Sequence, residues 1–333
     1  MEKRPLIIDC DTGEDDAIAL VLTAYSKLPL KYIFTCHGNT TLQNATENSA
    51  RIMSLVGASD VKVIAGASKP TTKHLWEKEG FTVGEDFIGR NGICNIELPK
   101  SNYDNISIPG EERYVEEMAK AIESCGPVDY IITGPATNFA QLCDYFGSDI
   151  KKHINSLTIM GGAIYVRGTR GGGVRNVGFD QRQEGQGLES WAEFNFYCDP
   201  AAIKKTLAAG FNPIVVTWDA CIHYELSLEY INRMRSNAPG GKFVCDLMQA
   251  FMKLFGIKNK THFEVCDPIT IMAFLGYGNL RDEKVNVITE RHHFGKCYPD
   301  PEGYPIRYFH TNEKEKDEIL ADMMRRLEIE LSE

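Results

Sequence analysis

PLIIDCDTGEDDAIAL, residues Pro5 to Leu20, is the stretch on which the fold turns. Pro5–Ile8 is an apolar run of the length of a buried strand. It stops at Asp9, and Asp11, Glu14, Asp15 and Asp16 follow before position 17. Thr12-Gly13 supplies a turn, and from Asp15 onward Ile18, Val21, Leu22 and Tyr25 recur at helical spacing. Carboxylates at a helix N-terminus complement its dipole. Two or three would be ordinary there. Five crowded at a strand end repel one another unless something positive lies among them, and a hard divalent cation held by oxygen ligands answers that need. A solvated acidic cap is the alternative for this stretch taken alone.

Outward from this segment the pattern repeats. Leu30–Cys36 reads as a second strand ending at His37-Gly38-Asn39. Thr40 or Thr41 can cap a helix running to Val56, and Val61–Ala65 is a third strand. This β-α-β-α-β order predicts an α/β, doubly wound domain with a mostly parallel central sheet and helices on both faces. Ligands of such sheets lie beyond the carboxyl ends of strands, which puts Asp11 and Asn39 at one crevice. Further on, Glu111–Ser124 reads as a helix and Val128–Thr133 as a strand. Its exit, Thr133-Gly134-Pro135-Ala136-Thr137-Asn138, is a turn in which Thr137 or Asn138 can cap the next helix.

Ser156–Met160 is another strand, followed by Gly161-Gly162. Residues 166–190, rich in Gly, Arg and Gln, have almost no apolar periodicity. They read as a long flexible loop, either a lid or disordered chain. Glu193 and Asn195, two apart in a segment read as extended, would point the same way. Asp199-Pro200 is a helix start, with the aspartate as cap and proline at the first position. Asp267-Pro268 has the same form and opens a helix to Leu275. The tail carries short strands and then a charged helix from Glu313 to Leu331. No linker or repeat divides the chain, so residues 1–333 are read as one domain.

The chain has 333 residues, 43% of them hydrophobic and 25% charged, as in an ordinary globular protein. A formal charge of -10 argues against nucleic acid or an anionic membrane surface as partner. No apolar run approaches a bilayer span, and the start does not read as a signal peptide. Ten cysteines without a C-x-x-C pair suggest reduced thiols and a cytoplasmic location.

Asp9-Cys10-Asp11-Thr12-Gly13-Glu14-Asp15-Asp16-Ala17 closely resembles the D-x-D-P-G-x-D-D-A signature of the calcium-dependent, inosine-uridine preferring nucleoside hydrolases, with Thr12 in place of the usual proline. The resemblance continues, in family order, through the turn at 133–138, Met160-Gly161-Gly162, Ala192-Glu193-Phe194-Asn195, Asp199-Pro200 and Cys266-Asp267-Pro268. Haloacid-dehalogenase phosphatases share a D-x-D after a strand but lack the Gly-x-Asp-Asp that follows here.

The resemblance implies hydrolysis of the N-glycosidic bond of ribonucleosides, within purine or pyrimidine salvage, by an assembly of two or four copies. It implies that the flexible loop at residues 166–190 is inserted. It also implies Ca2+ held by Asp11, Asp16, Asp267 and the Thr133 carbonyl, with Asp11 also the general base toward a calcium-bound water. Asp15, Asn39, Glu193 and Asn195 would hold the ribose, with Met160 beneath it. Cys266 stands where members often carry a histidine that protonates the leaving base, and Ile88-Gly89-Arg90-Asn91-Gly92 keeps the glycines of an H-G-x-x-G loop without its histidine. Cys266 is therefore grouped with the substrate-binding residues, or fills space beside the helix start. His37, His223 and His262 are other proton sources. Asn176 would be the shifted stand-in for a ribose-holding asparagine of the family that has no clear counterpart here. A metal-dependent nucleoside binder without turnover is the competing class.

Overall fold

The computed structural model describes residues 4–72, 88–100, 103–166, 191–256, 262–290 and 293–332. The expected insertion, apart from Val166, and Asn176 within it, lie outside these residues. Five strands set the first part of the architecture: β1 (Leu6–Cys10), β2 (Leu30–Thr35), β3 (Lys62–Ala65), β4 (Ile106–Ser107) and β5 (Val128–Ile132). β6 (Ile154–Met160), β7 (Ile214–Val216), β8 (Glu225–Ser227), β9 (Met234–Arg235) and β10 (His262–Glu264) follow, and the tail adds β11 (Asn279–Val287), β12 (Cys297–Pro299), β13 (Tyr304–His310) and β14 (Glu330–Leu331).

Ten of these strands form one sheet in the order β12-β11-β13-β7-β6-β5-β1-β2-β3-β4. β4 through β7 are parallel across the sheet, β13 joins parallel to β7, and β11 runs antiparallel to both β13 and β12. The chain lays β2, β3 and β4 to one side of β1, then returns to place β5 on its other side. The order therefore reverses at β1 and β5, and a doubly wound sheet opens a crevice beyond the strand ends at such a point. The expected mostly parallel α/β architecture is what the molecule has.

β1 is buried along its whole length because both faces are covered. Leu6, Ile8 and Cys10 face one apolar cluster and Ile7 the other, as period-two alternation requires. Helix α1 (Glu14–Tyr25) is buried from Ala17 to Thr23, so the stripe read from the sequence widens to nearly the full circumference. α2 (Leu42–Leu55) begins at Thr41, whose side chain accepts from Asn44 N at 3.1 Å. α3 (Tyr114–Cys125) and α4 (Thr137–Phe146) pack on the opposite face. α5 (Phe194–Cys198), α6 (Pro200–Ala208), α7 (Pro239–Gly256), α8 (Cys266–Phe274) and α9 (Glu313–Arg326) are the remaining helices used below.

Several local expectations change. Ala136, not Thr137 or Asn138, is the N-cap of α4, and both side chains turn inward to partners distant in sequence. Glu193 to Asn195 is not extended: Glu193 caps α5 and Asn195 lies inside it. Asp267 sits within the first turn of α8, which Val265 precedes as cap. His262 lies on strand β10. The C-terminal helix ends at Arg326, and Glu330–Leu331 turns back to pair with Met234–Arg235.

Candidate active site

Asp9 ends up behind the crevice. Its carboxyl is fully buried, accepting from Tyr130 Oη at 2.9 Å and Asn138 Nδ2 at 2.8 Å. Burial raises its pKa to about 7, opposed by those two hydrogen bonds. Neutral donors thus satisfy it, and it takes no part in the acidic convergence beyond β1.

Asp11, in the turn after β1, accepts from Asn39 N, which brings the ends of β1 and β2 together as their sequence positions suggested. A Cβ at Gly38 would overlap the Asp11 carboxylate, so glycine is required for this approach. Asp16, at the third position of α1, accepts from Gly13 N at 2.9 Å and from Asn39 Nδ2 at 3.2 Å on one oxygen. Its other oxygen accepts from Thr133 Oγ1 at 2.8 Å. Asp267 arrives from the first turn of α8, and its ligating oxygen lies within 4.8 Å of those of Asp15 and Asp16.

Asp16 and Asp267 are 1% and 2% exposed, and Glu14 is 6% exposed. A solvated cap is therefore not what the segment forms. Burial raises the pKa of Asp16, and it raises that of Asp267 well above the carboxylate range, with the charges of Asp15, Asp16 and Asp11 adding to it. Asp267 Oδ1 is buried and accepts no hydrogen bond among the described residues. Buried carboxylates without a positive partner are costly, so this arrangement fits an oxygen-liganded divalent cation. The donor set is all oxygen, which selects a hard ion over a thiophilic one.

The remaining site residues converge from the other side. Asn195 Nδ2 donates to the Thr133 carbonyl at 2.7 Å, and Met160 Sδ lies 3.3 Å from the same nitrogen. The Thr133 carbonyl, expected as a metal ligand, thus already receives one hydrogen bond, and its second lone pair is what a cation would use. Glu193 accepts from Asn195 N at 2.7 Å, Phe196 N at 3.1 Å and Gly162 N at 2.9 Å. Its carboxylate is held rigidly by α5 and by the glycine turn after β6. Asp11, Asp15, Asp16, Asn39, Thr133, Met160, Glu193, Asn195 and Asp267 are brought to the carboxyl ends of β1, β2, β5 and β6 and the starts of α1, α5 and α8.

Cys266 is 6% exposed beside Asp267. A hydrogen bond with Cys221, burial and the charges of Asp15 and Asp267 push its thiol well above the ordinary cysteine range. These influences favour the neutral thiol over the thiolate. His37 is 1% exposed, with Nε2 at 3.0 Å from Thr137 Oγ1, and burial lowers its pKa to about 4. That removes it from the proton sources facing the crevice. His262 is paired with Glu225 and Glu264.

Two buried aspartates carry more than their sequence context signals. Asp199 caps α6 and also receives Thr71 N and Oγ1, Thr72 Oγ1 and Thr137 Oγ1, at 2.7–2.9 Å. Asp219 accepts from the successive amides of Ile164, Tyr165 and Val166 at 2.9, 2.6 and 3.2 Å. Only the Asp-Pro pair hinted at the first, and no local pattern marks the second. The glycine loop at 88–92 is tied to the acidic turn by Asn48, whose Nδ2 donates to Asn91 O at 2.7 Å and Thr12 O at 3.3 Å.

Residues 6–327 match the family model described as inosine-uridine preferring nucleoside hydrolase. A pyrimidine-specific ribonucleoside hydrolase of Photobacterium profundum is 31% identical over 278 residues, covering 82% of this chain and 80% of the relative. One of the same description from Escherichia coli O157:H7 is 30% identical over 255 residues, covering 75% and 71%. Among solved structures, a purine-preferring ribonucleoside hydrolase from Gardnerella vaginalis superimposes with a TM-score of 0.78 at 23% identity, over 98% of each chain. A plant nucleoside hydrolase gives 0.80 at 19% identity, over 98% of this chain and 99% of its own. These two likenesses carry the fold.

Proposed function

The chain belongs to the inosine-uridine preferring nucleoside hydrolase family and is an enzyme of that kind, and from that premise we propose that it hydrolyses ribonucleosides to free base and ribose at the Asp11–Asp15–Asp16–Asp267 crevice. The observation that carries this reading is the burial of Asp16 and Asp267 within reach of Asp15, beside Asn39, Glu193 and Asn195. Asp11, Asp16, Asp267 and the Thr133 carbonyl would hold calcium. When bound, such an ion lowers the pKa of a coordinated water and fixes its position, though less strongly than zinc does.

The chain's own residues do the rest. Asp11, fixed by the Asn39 amide, accepts a proton from the attacking water. Asp15, Asn39, Glu193 and Asn195 grip the ribose hydroxyls, and Met160 packs under the ring. Cleavage passes through a ribose with oxocarbenium character, and clustered carboxylates favour positive charge developing there. Cys266 then belongs to a branch with cysteine in place of the histidine. A thiol is a weak donor, so proton delivery to the base falls mainly to water or the base's own solvation. His223, exposed in the turn before β8, is the side-chain alternative.

Location in the cytoplasm, a role in base salvage and assembly as a dimer or tetramer accompany this reading. The described residues contain no helix long and apolar enough to cross a membrane. Incubation with uridine, cytidine, inosine and adenosine, followed by detection of free ribose, tests the activity. Ribose release that requires calcium supports it. Tight nucleoside binding with no ribose from any of the four would instead identify a binder without turnover.

A further inference from the structure

A second group of ligating side chains lies outside this crevice, on the two-stranded ribbon of β8 and β10. The strands are antiparallel, with Glu225 directly opposite Glu264 and Ser227 opposite His262. Opposed residues share a face, and so do residues two apart on one strand. Glu225, Glu264 and His262 therefore project together. Ser227 does not compete, because its hydroxyl caps the following helix by accepting from Tyr230 N at 3.1 Å.

Glu225 and Glu264 are like charges directly opposite each other, a pairing that disfavours the ribbon when both are ionised. His262 Nε2 stands 3.2 Å from Glu225 Oε1 and 3.6 Å from Glu264 Oε1, and all three ligand atoms fall within 4.8 Å of one another. Ligands about 2.0–2.2 Å from a tetrahedral zinc are separated by roughly 3.4 Å, which these two distances bracket. The side chains of His262, Glu225 and Glu264 are 35%, 41% and 14% exposed, so a fourth position opens to solvent.

We propose that Glu225, His262 and Glu264 form a second divalent-cation site, of the zinc class, distinct in donor chemistry from the all-oxygen crevice. One nitrogen and two carboxylates suit a borderline transition ion rather than calcium. The site joins β8 to β10, and β10 runs through Val265, whose amide donates to Tyr224 O at 3.3 Å, straight into Cys266 and Asp267. An ion held here fixes the strand that delivers Asp267 to the crevice.

The test is zinc titration of the full-length, calcium-loaded protein, with bound metal counted after dialysis. The expected result is one zinc in addition to calcium in the wild type and one zinc still bound in Asp16→Ala, with affinity falling at least about tenfold in His262→Ala and in Glu225→Gln. Zinc should raise the melting temperature of the wild type by roughly 5 °C at saturation and that of His262→Ala far less. X-ray absorption should show only nitrogen and oxygen near 2.0–2.1 Å. Sulfur at about 2.3 Å would place the ion on cysteines and overturn the assignment. So would zinc binding unchanged in both variants, or none beyond the calcium site. Because ribose release is not the readout, the result is independent of whether the crevice turns over.

Discussion

Buried among Asp11, Asp15 and Asp16, the Asp267 carboxylate is destabilised when the crevice holds no cation and stabilised when it does. Asp267→Asn should therefore change sign with metal. In calcium-free protein the variant should be more stable than wild type, by about 1–3 kcal/mol, because a buried unpaired charge has been removed. In calcium it should be less stable and inactive, since on the proposed reading a metal ligand is gone. Melting curves with and without chelator check this, and the same sign in both conditions would remove the cation from the account. Cys266 makes a different prediction. Its thiol is neutral and a weak donor, so Cys266→Ala should lower turnover by less than about a hundredfold, the lower end for a general acid. A loss of three decades with calcium still bound would make the thiol catalytic.

At the scale of elements, the crevice is built by the starts of helices meeting the ends of strands, and the joints are polar. Asp199 shows how much one joint can carry. It caps α6 locally, yet Thr71, Thr72 and Thr137 reach it from positions 128, 127 and 62 residues away in sequence. Asp199→Ala should remove the cap and leave these buried donors unsatisfied, lowering stability by about 3 kcal/mol. Asp199→Asn, which keeps acceptor oxygen, should cost less. Urea unfolding midpoints at unchanged slope measure both, and a deficit below about 1 kcal/mol for the alanine variant would mean that the joint is dispensable. Asp219 plays the corresponding part for Ile164 to Val166.

Across the whole molecule, acid sensitivity should have a traceable component at His37. Its folded pKa is lowered to about 4 by burial, below the usual 6.5, so the unfolded chain binds a proton first as pH falls. The neutral folded form is favoured above about 6.5, and that advantage is lost between about 6.5 and 4. It amounts to on the order of 3 kcal/mol. His37→Gln should lose stability less steeply than wild type between pH 7 and 5, measured by urea unfolding at each pH; parallel slopes would exclude His37 as the source. The sequence by itself determined the α/β order and the parallel strands near β1, because periodicity and turn residues are local. It also marked the residues of the crevice, through short motifs kept in family order. What it could not carry was every relation between segments distant along the chain. Asp9 and Asp16 are indistinguishable as neighbours in one acidic run, yet Tyr130 and Asn138 take the first away while Thr133 and Asn39 bring the second in. Glu193 to Asn195 read as extended because five residues of helix are too few to show a period, and only the Gly162 and Phe196 amides fix Glu193 as a cap. The fold class followed from local pattern; which carboxylate faces the crevice was decided by the packing of strands whose register no local pattern records.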